Sequence, residues 1–145
     1  MTFRTKTEGG EQALSHPEYL AFLSLILDTD CADLLDIEFF TAGADLPKLV
    51  EQAHSAGVAV VCSSHDFAKT PPRAELVCRM VQMQQAGADL PKLAVMPRCR
   101  TDVLELLAAT AEMADLHPET PVITMSMGHA GRGEPSGRGR PLALP

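Results

Sequence analysis

Tryptophan is absent from this chain, tyrosine occurs once, and aromatic residues make up 4% of it. A core without large rings must be filled by Leu, Val, Ala, Ile and Met. With 46% hydrophobic residues among 145, there are enough of them for one ordinary domain. Positive charge is also scarce: 12 Lys and Arg stand against 19 Asp and Glu, for a net charge of −7. A nucleic-acid binder usually presents a basic face, so that class is disfavoured. The one basic cluster, Arg132, Arg138 and Arg140, falls in a Gly/Pro-rich tail. No long apolar run exists. The longest, around Leu20–Leu27, is too short to span a bilayer, and the polar start MTFRTKTEGGEQ lacks the apolar stretch of a secretory signal. The four cysteines (Cys31, Cys62, Cys78, Cys99) form no CxxC, and no two histidines show HxH or HxxxH spacing. Zinc and disulfides are therefore disfavoured, and buried free thiols in a reducing, cytoplasmic setting are expected. No GxGxxG follows any apolar run, so the fingerprint of a dinucleotide-binding fold is missing.

What is present is alternation. Short β-branched or apolar runs take turns with stretches of helical periodicity. Thr2–Arg4, Leu34–Phe40, Val58–Ser63, Leu93–Met96 and Val122–Met127 read as strands. Pro17–Asp30, Leu46–Ser55, Pro72–Ala86 and Asp102–Leu116 read as helices, with Ser15, Asp45 and Thr101 as candidate N-caps and Gly57 as a stop. One helix between each pair of strands demands a parallel sheet with right-handed crossovers. An open doubly wound sheet and part of a (β/α)8 barrel both fit. A complete barrel needs eight strands and roughly 250 residues, so five strands make only a part of one.

The heptapeptide GADLPKL occurs twice, at Gly43–Leu49 and Gly87–Leu93. The first copy runs into VEQAHSAG at helical spacing, the second into AVMP. The flanks differ, so the copies are not an internal repeat. Lys48 is expected on a helix facing solvent, and Lys92 at the mouth of a buried strand. Burying an ammonium disfavours its charge, and a neutral amine is a nucleophile toward ketones and aldehydes. The plainer alternative is that Lys92 snorkels to solvent. His65 ends the apolar run VAVVCSSHDF, where parallel α/β folds place their active face, and a satisfied loop histidine is the competing reading. Arg4 is suited to a carboxylate and Glu8 to orienting a histidine, although a solvated loop pair would look the same. Met125 lies in VITMSM, where core packing competes with a place in a cavity wall.

Taken together and in order, TFRTKTEGGEQ, the DIE strand, VVCSSHDF-x-x-TP, GADLPKLAVMP and PVITMSM closely resemble the type I 3-dehydroquinate dehydratases of the shikimate pathway, from Met1 to about Met127. The resemblance implies a (β/α)8 barrel and a reaction that eliminates water from 3-dehydroquinate through a lysine Schiff base, with no metal or organic cofactor. By it Lys92 forms the imine, His65 is the general acid and base, and Glu8 positions His65. Arg4 contacts substrate, and Phe67 and Met125 line the pocket. The implied partner is the small-molecule substrate, with a homodimer or a complementing fragment as a further expectation and neither nucleic acid nor membrane.

The same resemblance implies departures. The chain matches the middle of the family barrel, as about five strands and four helices in 1–127. The family's first two strands, with a Glu-x-Arg motif, have no counterpart. After Met127 the family continues close to GVVSRLAGE, whereas here GHAGRGEPSGRGRPLALP stands, a segment (128–145) of disordered composition. Out-of-frame reading of GC-rich codons for the family segment yields RGEPSGRG, as at Arg132–Gly139, so a frameshift is hypothesised. Coding DNA without an in-frame family sequence after a one-base correction would refute it. Exposed sheet edges imply low stability, association, and weak or absent activity alone. The competing functions are a non-catalytic remnant or interaction fragment and another Schiff-base lyase or aldolase on the same barrel.

Overall fold

The computed structural model describes residues 1–29 and 31–128. The Arg132–Arg140 cluster, His129 and almost all of the 128–145 segment lie outside the described residues. Four parallel strands, β1 (Leu34–Glu38), β2 (Ala59–Asp66), β3 (Leu90–Val95) and β4 (Ile123–Ser126), form one sheet in the order β1-β2-β3-β4. The helices are α1 (His16–Asp28), the single turn α2 (Phe39–Ala42), α3 (Leu46–Ser55), α4 (Arg73–Gln85) and α5 (Arg100–Leu116). No described helix is long and apolar enough to cross a membrane.

The two-residue period of a strand sorts the sheet into two unlike faces. Register places Leu35 beside Val60, Ile37 beside Cys62, Ser64 beside Leu93 and Ala94 beside Met125. Leu35, Ile37, Val60, Cys62, Leu93 and Val95 meet the helices, which supply Leu23, Leu76, Met80 and Met113 to the same core. The opposite face carries Asp36 and Glu38 from β1, Ser63 and His65 from β2, Lys92 from β3 and Met125 from β4. One face is packed against helices; the other is polar.

The N-terminal strand is reduced to one bridge, Thr2 to Asp36. Asp36 N–H donates to the carbonyl of Met1 at 3.0 Å, but the two groups that would extend the ladder are taken elsewhere. Glu38 N–H donates to the Tyr19 hydroxyl at 2.8 Å, and Thr5 N–H to the Glu38 carboxylate at 2.8 Å. The chain then closes a 3-10 turn, Lys6–Glu8. β1 ends at Glu38 rather than Phe40 because Phe39 opens α2.

Caps also differ from the sequence-based expectation. Ser15 does precede α1, where the Glu18 carboxylate accepts both its N–H and its hydroxyl. Asp45 makes no cap bond; it binds His16 Nε2 at 2.9 Å, while His16 Nδ1 faces the Thr41 carbonyl. Both ring nitrogens therefore donate, and the bonds to Asp45 and Thr41 raise the His16 pKa above its ordinary value. α5 starts before Thr101, at Arg100, capped by Cys99 with the Asp102 carboxylate folded back on Arg98 N–H. Of the cysteines expected to be buried, only Cys62 is; Cys31, Cys78 and Cys99 are exposed, because they sit in a loop, on an outer helix surface and at a helix cap. All four are free, and burial pushes the Cys62 thiol up.

Candidate active site

The polar sheet face gathers the charged residues that the sequence singled out. β3 turns Lys92 to this face, beside Ser63 of β2 and Ile123 of β4. It is the third residue of a six-residue strand, not its mouth. Its side chain is one-fifth exposed, with Nζ 3.7 Å from Asp36 Oδ2 (21%).

His65 lies one row further along β2, level with Ala94. Glu8, buried in the 3-10 turn, reaches across 57 positions of sequence to meet it. The same oxygen, Glu8 Oε2, accepts from His65 N–H at 2.6 Å and stands 2.9 Å from Nδ1. A carboxylate only accepts, so Nδ1 carries a proton toward Glu8, and whenever the ring is neutral Nε2 keeps the lone pair. That is the tautomer a general base needs. Phe67 stacks on the imidazole, centroids 6.1 Å apart and 14° from parallel. Its other neighbour is Gly9, where an added Cβ would fall 2.4 Å from the ring and where φ is +93°. At Gly10 a Cβ would strike the Arg4 carbonyl at 1.7 Å. The Gly-Gly pair lets the Glu8 turn pass this close.

Arg4 is held by β1. Nη2 binds Asp36 Oδ2 at 2.5 Å, and Nη1 reaches Asp36 Oδ1 at 3.3 Å and Ser63 Oγ at 2.6 Å. Its fork is bidentate to a carboxylate of the protein itself, which leaves Nε and one Nη2 proton for a ligand. Met125 and Phe67 border the face, each about half exposed. Lys6, in the 3-10 turn, and Lys69, in a loop, are exposed.

The sequence reading omitted roles for Asp36, Glu38, Ser63 and Thr5. Asp36 joins Arg4, Ser63 and Lys92. Glu38, fully buried, accepts from Thr5 N, Thr5 Oγ1 and Thr41 Oγ1. The available signal was LLDIE itself: two carboxylates at alternate positions of an otherwise apolar strand must share a face and need partners. A groove of about 490 Å³ lies between α1 and α3 near Lys48 and Glu51, away from all of these groups. Chemistry and geometry favour the sheet face over that groove, since the groove holds no buried reactive side chain.

A family model described as Type I 3-dehydroquinase matches residues 1–133. The 3-dehydroquinate dehydratase of Salmonella agona (strain SL483) is 47% identical over 130 residues, covering 90% of this chain and 52% of that protein. The solved structure of 3-dehydroquinate dehydratase from Enterococcus faecalis superposes with a TM-score of 0.84 at 46% identity, over 88% of this chain and 53% of that one. The type I enzyme from Clostridium difficile, solved with covalently modified comenic acid, gives 0.82 at 46% identity, over 86% and 50%. The chain spans about half the length of the curated relatives it matches.

Proposed function

The chain belongs to the type I 3-dehydroquinase family, and on that premise we propose that it carries the imine-forming and proton-transferring residues for dehydration of 3-dehydroquinate to 3-dehydroshikimate. The observation that carries the reading is the sharing of one sheet face by Lys92 and the Glu8-bound His65. The Lys92 amine, once it has given up its proton, adds to the substrate ketone, and loss of the carbonyl oxygen as water gives the imine. The imine draws electrons from the adjacent C–H bond, so His65 Nε2 can take that proton. The resulting enamine expels the β-hydroxyl, which leaves as water with the proton held by His65. Hydrolysis of the product imine consumes one water and frees Lys92, so the net change is loss of one water. Glu8 keeps Nδ1 protonated throughout and stabilises the imidazolium. The two free Arg4 donors suit the substrate carboxylate, and Phe67 and Met125 supply apolar walls.

This reading places the protein in cytoplasmic aromatic biosynthesis. The match covers about half of each relative, and we infer that residues 1–145 by themselves turn over weakly, with a complementing fragment or a second copy raising the rate. The test is the intact mass of the chain after incubation with 3-dehydroquinate and borohydride, alongside the appearance of the conjugated product. A reduced adduct supports the imine route. Absence of any adduct under conditions where the chain is folded supports the non-catalytic remnant, and adducts with unrelated aldehydes but not with 3-dehydroquinate support another lyase.

A further inference from the structure

We propose that Glu38 is a positioning residue for the Glu8–His65 pair: its buried carboxylate clamps Thr5 and so holds the turn that carries Glu8 against the imidazole. Before the turn the backbone pairs with the sheet at one bridge, Thr2 to Asp36, and the Arg4 side chain adds its bonds to Asp36 and Ser63. Beyond it, the next tie to β1 that carries the backbone is the Glu38 carboxylate, which binds Thr5 N–H at 2.8 Å and Thr5 Oγ1 at 2.7 Å. Thr5 in turn sets the turn: its carbonyl accepts from Glu8 N–H at 3.0 Å and from Gly10 N–H at 2.8 Å. Its hydroxyl stands 2.8 Å from that of Thr7. Glu38 therefore acts on Glu8 through Thr5.

Fully burying a carboxylate is costly unless donors surround it. Glu38 has three hydrogen-bond donors, with Thr41 Oγ1 at 2.7 Å as the third, and Arg4 Nη1 lies 3.6 Å from Oε1. Leucine would pack in a buried strand position at far lower cost if only the core were at stake. The charge is used where the ladder of β1 gives way to the turn.

The inference rests on reading Glu8 and His65 as the acid–base pair, but its test needs no substrate, so it can fail or hold independently of imine trapping. The measurement is solvent exchange of the His65 Nδ1 proton by NMR on the ¹⁵N-labelled chain. Glu38→Ala should speed that exchange about tenfold or more, the equivalent of losing one good hydrogen bond. The His54 ring and the amides of β2 and β3 should stay as in the parent. Thr5→Val, which removes the hydroxyl alone, should act in the same direction, and Thr5→Ser should restore parent behaviour. Exchange within about twofold of the parent in Glu38→Ala and Thr5→Val would overturn the proposal. If Glu38→Ala does not fold, the Thr5→Val and Thr5→Ser pair decides it: equal exchange in the two overturns it.

Discussion

Two copies of GADLPKL, one from Gly43 and one from Gly87, fold differently in this chain. From Gly43 the segment makes a 3-10 turn and then α3, leaving Lys48 exposed; from Gly87 it makes a short turn and then β3, turning Lys92 to the polar sheet face. Some features are shared. Both glycines have positive φ, +54° and +93°. Each aspartate finds a histidine at 2.9 Å, Asp45 with His16 and Asp89 with His54. Both final leucines, Leu49 and Leu93, are buried. The difference comes from the residues after each heptapeptide and from the strands beside it. VEQAH continues a helical stripe, whereas AVMP is apolar throughout and slots between β2 and β4. Pro91 is tolerated in an interior strand because pairing with β4 begins only at Lys92. Seven identical residues do not decide a fold; tertiary neighbours do.

Substitutions can break or sharpen this comparison. The largest difference is expected at the lysines. Lys92→Ala should abolish imine formation altogether in the intact-mass assay, while Lys48→Ala should leave it unchanged and shift stability by no more than about 0.5 kcal/mol. Next come the leucines, where the copies should agree: Leu93→Ala and Leu49→Ala should each cost about 3 kcal/mol in denaturant unfolding. The glycines should then separate. Gly43→Ala should cost about 3 kcal/mol from the backbone alone, because φ +54° with ψ −128° is held readily only by glycine, although nothing lies within 4 Å of a new Cβ. Gly87→Ala should cost about 2 kcal/mol, since its Cβ would also press on Val50 at 3.1 Å.

A smaller effect than at the leucines and glycines is expected at Asp89. Partial burial raises its pKa, but Val60 N–H and His54 outweigh that and hold the carboxyl below its ordinary value. A carboxylate whose folded pKa is depressed stabilises above its unfolded value of about 3.9 and loses that contribution as pH falls through the folded value. Asp89→Asn should therefore lower the melting temperature at neutral pH and converge with the parent in acid. The effect should stay below about 1 kcal/mol, because the side chain is nearly half exposed.

The order of helices and strands was legible because periodicity is local: the short β-branched run VAVVCS favours a strand, and the spacing from Pro72 to Ala86 a helix. Lys92 and His65 were legible as candidates from their places relative to apolar runs. Glu8 as the partner of His65 came only with the family resemblance, and Asp36 beside Lys92 was not anticipated. Glu8 meets His65 across 57 residues and Glu38 meets Thr5 across 33, and no short-range pattern reports such distances. The lost N-terminal strand shows the same limit, since side chains of Tyr19 and Glu38 took the backbone groups a ladder would have used. The pairing of Arg4 with Asp36 was not legible either, although the alternate acids of LLDIE put a carboxylate within reach of its fork.

The central claim is that β3, through Lys92 on its polar face, provides the nucleophile. Peptide mapping of the unsubstituted chain after 3-dehydroquinate and borohydride tests it most directly. The expected result is an adduct on the peptide containing Lys92 and none on the peptide containing Lys48. An adduct on Lys48, or an unmodified Lys92 beside modified lysines elsewhere, would contradict it.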